Sequence, residues 1–78
     1  MPRVEGFLFD DDNVDKFAAH GIGERQVDQI LDRDFVIVPN RKKRRALYLL
    51  VGRDLGGRCI AVPIEPTRDP AIWRPITA

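Results

Sequence analysis

Cysteine is nearly absent from this chain. Cys59 stands alone among 78 residues, which excludes an intrachain disulfide and the paired-cysteine spacings of zinc sites. A reducing, cytoplasmic setting is therefore expected. Histidine, tyrosine and tryptophan also occur once each, so any imidazole chemistry rests on His20. No apolar run approaches the roughly 20 residues that a membrane helix needs. The N-terminal Met-Pro-Arg-Val-Glu-Gly lacks the basic-then-apolar pattern of a secretion signal. There is no Gly-rich phosphate loop and no Ser-His-Asp constellation. What is present is 44% apolar and 32% charged, the composition of a folded domain. At this length one domain is expected, and its core is small.

Net charge is also scarce, at +1, but it is unevenly spread. Residues 1–34 carry four basic and nine acidic groups, a net of −5, whereas residues 35–78 carry nine basic and three acidic groups, a net of +6. Ten of the thirteen cations are arginine, whose planar fork suits phosphate. The acidic half and the basic half are thus expected to do different work.

The chain reads as a short strand, two helices and a run of strands. Phe7-Leu8-Phe9 predicts the first strand, and Asp10 to Asn13 supply helix-capping groups. Val14, Phe17, Ala18 and Gly21 follow helical spacing, with Gly21 as the stop. Val27, Ile30 and Leu31 give the stripe of a second helix from Glu24 to Leu31 or Asp32. Strands are predicted at Phe35–Val38, Arg44–Arg53, Arg58–Glu65 and Trp73–Thr77. Asp54-Leu55-Gly56-Gly57 would turn a hairpin. Ile60, Val62 and Ile64 point one way along their strand. Pro63, and likewise Pro75, lacks the donor that a central strand uses, which predicts an edge or a bulge. The expected fold class is α+β, in the order β-α-α-β-β-β-β, with both helices on one face of a small antiparallel sheet.

Several of these pieces, in this order, resemble the BrnT-type toxins. They are Phe9-Asp10, Asn13 and His20-Gly21-Ile22, then Tyr48-Leu49-Leu50-Val51-Gly52-Arg53, Gly57-Arg58 with Ile60-Ala61-Val62, and Trp73-Arg74-Pro75-Ile76-Thr77-Ala78. The resemblance covers roughly residues 7–78. It implies a RelE-like fold, ribonuclease activity within a type II toxin–antitoxin pair, and a BrnA-like antitoxin carrying a ribbon-helix-helix DNA-binding domain. Three features depart from that family. Phe9 stands where many members have Trp, and Ala19 precedes His20 where members have Lys or Arg. The family also continues past the position of Ala78 with an Arg and a C-terminal helix, so a domain shortened at its C-terminus is expected.

The strongest chemical feature is Arg41-Lys42-Lys43-Arg44-Arg45, five consecutive cations. Such a run gives salt-dependent affinity for RNA by releasing counterions. A solvated turn, or a dock for an acidic protein segment, is the alternative reading. Metal-free RNA cleavage needs a base, an acid and cations on the pentavalent phosphate. Arg44, Arg45, Arg53 and Arg74 are candidates for the cationic part, and a convergence of Arg53, Arg58 and Arg74 on one sheet edge is expected. His20 serves either as general acid–base group or as a helix-end hydrogen-bonding residue. Arg41, Lys42, Lys43, Arg58 and Tyr48 are candidates for RNA binding, Tyr48 by stacking, though its apolar strand favours a core ring with a hydrogen-bonded hydroxyl. Asp10, Asp11 and Asp12 read as caps rather than metal ligands, and no cofactor is expected. The expected function is a ribonuclease toxin. The alternative is a non-catalytic RNA- or protein-binding module on the same basic surface. RNA and the antitoxin are the expected partners, with a homodimer through an exposed sheet edge as a further one and no membrane association.

Overall fold

The structure is a computed structural model that describes residues 3–40 and 46–78. The five-cation run at 41–45, with the candidate residues Arg41, Lys42, Lys43, Arg44 and Arg45, lies outside the described residues. The elements are β1 (Gly6–Phe7), α1 (Asp11–Ala19), α2 (Glu24–Gln29) with a 3-10 turn at Ile30–Asp32, β2 (Phe35–Pro39), β3 (Tyr48–Arg53), β4 (Cys59–Pro66) and β5 (Ile72–Pro75). One five-stranded sheet runs in the order β1-β5-β4-β3-β2.

The α+β class and the two helices are as the sequence predicts. The all-antiparallel sheet is not: β1 pairs parallel to β5, through Gly6 with Ile72 and Phe7 with Trp73, so the sheet is mixed. The first strand is also shorter than the expected 7–9. Side contacts hold it where two ladder pairs would be too few. Glu5 N donates to Ala71 O, Leu8 N to Trp73 O, and Trp73 Nε1 to Arg3 O at 3.1 Å.

Local chemistry explains the helices. Asp10 caps α1: its Oδ1 accepts from Asn13 N at 2.8 Å while Asn13 Oδ1 accepts from Asp10 N at 3.0 Å, a reciprocal capping box. Asn13 is fully buried, and its Nδ2 donates to Leu8 O at 3.0 Å, which joins the cap to the strand before it. Gly23 has no side chain to cap α2, and Gln26 reaches back to accept from Gly23 N at 2.8 Å. Helices of nine and six residues are too short to hold by themselves. Burial of Phe17, Ile22, Val27 and Ile30 against Leu50, Ile60, Val62, Ile64 and Trp73 keeps them in place. Gly52 permits the closest approach, because a Cβ there would collide with Ile30 and crowd Phe35.

The prolines sit where the edge rule does not predict them. β4 lies inside the sheet, and Pro63 is paired with Leu49 of β3. Its carbonyl accepts from Ile76 N at 2.8 Å. Its backbone therefore faces the β5 side, past the last register pair of Ile64 with Pro75. The missing N–H takes nothing from the β3 ladder. Pro75 ends β5 beyond the two residues that β1 covers. No helix among the described residues is long and apolar enough to cross a membrane.

Candidate nucleic-acid interface

α1 ends in a manner that sets up one end of the molecule. Gly21 has φ +72°, a left-handed conformation open to glycine at little cost. Its N–H bonds to Ala18 O at 2.9 Å and Ile22 N bonds to Phe17 O at 2.9 Å, the paired bonds of a Schellman stop. This turn leaves His20 exposed and points the carbonyls of His20 and Gly21 outward. Arg58, 38 residues later, fills them: Nη1 donates to Gly21 O at 3.2 Å and Nη2 to His20 O at 3.5 Å. A guanidinium at a helix C-terminus also matches the negative end of the helix. Arg53 flanks the same hairpin turn, with Nη1 donating to Gly57 O at 2.7 Å. His20, Arg53 and Arg58 are thus gathered around the β3–β4 turn and the end of α1.

A buried carboxylate fixes that turn. Asp54 is 5% exposed. Its Oδ2 accepts from Gln26 Nε2 at 3.0 Å and its Oδ1 from Arg58 N at 2.9 Å. Its carbonyl takes Gly57 N at 3.0 Å and Arg33 Nη1 at 3.3 Å. The bond from Gln26, then that from the Arg58 backbone, holds the Asp54 carboxyl below the usual carboxylate range. Gln29 adds a second tie by accepting from Leu55 N at 3.1 Å. In the sequence Asp54 reads only as a turn residue, and neither Gln26 nor Gln29 reads as a site residue. Partners 26 to 28 positions apart leave no periodic trace.

Arg74 does not join this group. Register pairs Arg53 with Cys59 at one end of β4 and Arg74 with Glu65 near the other, six residues or roughly 20 Å along the strand. The expected convergence of Arg53, Arg58 and Arg74 is therefore corrected to Arg53 and Arg58 alone. Arg74 is 16% exposed and spends its guanidinium on carboxylates: Nε on Asp10 at 2.7 Å, Nη1 on Glu65 at 3.2 Å, and Nη2 on Asp10 and Asp12 at 3.2 and 3.4 Å. The hydrogen bond from Arg74 lowers the Asp10 carboxyl below its usual range, and the same bond raises Arg74. The three carboxylates face a guanidinium rather than an open centre. The expected cap at Asp10 is also the anchor of this cluster.

Tyr48 faces the helix side of the sheet and meets Trp73 edge to face at 5.6 Å. Both rings belong to the core or its margin. Of the two roles expected for Tyr48, packing as a ring against the core is the one this contact describes. Cys59 is exposed beside Arg53. Comparison of the chain with protein-family models, with curated proteins and with solved structures gives no match.

Proposed function

We propose that this chain is a metal-independent ribonuclease toxin of the BrnT type, with a RelE-like fold, and that it works at the end of the molecule where α1 meets the β3–β4 turn. One observation carries the reading: Arg58 lies over the backbone of His20 across 38 residues of sequence. These bonds bring the Arg58 guanidinium to the backbone of the residue that carries the chain's sole imidazole. Arg53 and Arg58 bind the scissile phosphodiester and offset the charge that grows on its oxygens in the pentavalent transition state. His20 takes the proton from the 2′-hydroxyl as its oxygen attacks the adjacent phosphorus. The P–O5′ bond breaks, the 5′ oxygen takes a proton from water as it leaves, and a 2′,3′-cyclic phosphate remains. The run Arg41–Arg45 supplies salt-dependent affinity along the RNA. The neutralising partner in this reading is an acidic BrnA-like antitoxin with a ribbon-helix-helix domain.

A second reading is supported by Arg74. With every nitrogen of its guanidinium on a carboxylate, it adds nothing to a phosphate site. A non-catalytic RNA- or protein-binding module on the same basic surface then follows. Induced expression in a bacterial host separates the two. The toxin reading expects growth arrest, relieved by the antitoxin and abolished in the His20→Ala, Arg58→Ala double variant. Equal growth with and without induction, at matched soluble protein, would overturn it.

A further inference from the structure

Among the described residues β2 is the long free edge of the sheet. It ends the strand order on one side, and β1, at the other side, has only two residues. The five residues of β2 carry no charge, and Val36 and Val38 are 59% and 41% exposed. Such an edge is a template for a further strand. Its neighbours fix which way its backbone groups point. Asp54 N donates to Arg58 O at 3.1 Å, so Gly52 and Leu50 turn their backbone groups to β4 while Val51 and Leu49 turn theirs to β2. Val51 and Leu49 are the partners of Val36 and Val38. The backbone groups of Phe35, Ile37 and Pro39 therefore point off the sheet, as two N–H donors and three carbonyl acceptors.

We propose that β2 pairs antiparallel with β2 of a second copy, about a two-fold axis at Ile37. In that register Ile37 N donates to Ile37 O of the second copy, and Phe35 N donates to Pro39 O of the second copy. The axis repeats both bonds, so all four donors are used. Only the carbonyl of Phe35, across from the Pro39 ring, goes without one. The same register sets Val36 across from Val38 of the second copy, twice, on the face turned away from the helices. These are the close positions of an antiparallel ladder, where β-branched pairs stabilise it. An axis at Pro39 would face ring to ring with no donor, and an axis at Phe35 would set Val36 against Asp34. The strand is thus its own complement in backbone and in side chains, which selects a second copy as the occupant. The five-cation run after Asn40 does not oppose this pairing. The two Asn40 residues lie six positions apart along the ribbon, about 20 Å, so the two runs begin at opposite ends, beyond a screening length of about 10 Å. Asn40 falls across from Asp34 of the second copy. The next step of the β2–β3 register places Arg53 one strand further on, about 10 Å from that Asn40. Arg53 stays uncovered, and a cation run of one copy begins near the phosphate site of the other. That last consequence rests on the proposed function; the pairing itself does not.

Light scattering on the whole chain, free of RNA, tests the pairing apart from any cleavage. The mass should rise from 8.9 kDa toward twice that value between about 1 μM and about 1 mM, as befits a contact of this small size. Val36→Lys with Val38→Lys in one chain sets ammonium against ammonium at both valine pairs. It should hold the mass at the monomer value with unchanged circular dichroism, since both side chains are exposed. Val36→Lys with Val38→Glu sets opposite charges there and should restore the dimer. Oxidative cross-linking in a Cys59→Ser background reads the register. A Val36→Cys chain mixed with a Val38→Cys chain should form a disulfide-linked dimer, because the facing Cα atoms lie about 4.5 Å apart. Either chain alone should give at least about tenfold less. A native monomer at every concentration would overturn the proposal. So would a dimer that the two lysines leave intact, or cross-linking as strong in the unmixed chains.

Discussion

At Asp54 a buried carboxylate is held by neutral donors, Gln26 Nε2 at 3.0 Å and Arg58 N at 2.9 Å. Gln26 cannot turn over to suit a different partner, because its Oε1 already accepts from Gly23 N at 2.8 Å. An Asp54→Asn change therefore sets an amide N–H against a donor on one side or the other, and a thermal midpoint lower by about 5 °C is expected. The pH dependence has a definite sign. The Asp54 carboxyl is lowered in the fold. Its contribution is thus complete above the ordinary carboxylate pKa of about 4 and is lost as pH falls through the lower folded value. Asp10, lowered chiefly by Arg74, acts in the same direction. A melting series from pH 7 down to about pH 2 should fall steeply in the native chain and less steeply in Asp54→Asn. Parallel curves would show that Asp54 is not the group responsible.

Among the elements, the closest contact is that of the 3-10 turn with β3. Gly52 lies directly beneath Ile30, and a Cβ placed there meets the Ile30 side chain and the Cβ of Phe35. Gly52→Ala should cost about 1–3 kcal/mol by overpacking. It should cost less in an Ile30→Ala background, which a denaturation double-mutant cycle measures as a coupling. Costs that simply add would remove this contact from the account. The elements also show what the sequence could and could not carry. The capping pair Asp10 and Asn13, the stop at Gly21, the turn at 54–57 and the alternation of Ile60, Val62 and Ile64 are local signals, each spanning a few residues, and each is found in the fold. The pairing of β1 with β5 spans 66 residues and rests on two register pairs. The interior position of Pro63 depends on which side its backbone faces. The engagement of Arg74 depends on a helix cap 64 positions earlier. None of these has a period or a spacing to read. The site is legible to the same extent: residue type singles out His20, Arg53 and Arg58, but register decides which arginines share an end.

On the scale of the whole molecule, the two charged halves fold onto each other rather than lying apart. Acidic α1 meets basic β5 through Arg74 at its N-terminal end and basic Arg58 at its C-terminal end. The first contact ties the sheet to the helix. The second holds the Arg58 guanidinium on the backbone of His20, which is exposed, and the proposed chemistry rests on that arrangement. The most direct test is RNA cleavage by the purified chain in EDTA, followed as the appearance of 2′,3′-cyclic phosphate ends, for the native protein and for His20→Gln. Cleavage is expected in the native protein, with a loss of about 100-fold or more in His20→Gln and unchanged salt-dependent RNA binding in both. Binding without any strand scission, or cleavage at the native rate in His20→Gln, would contradict the proposed chemistry.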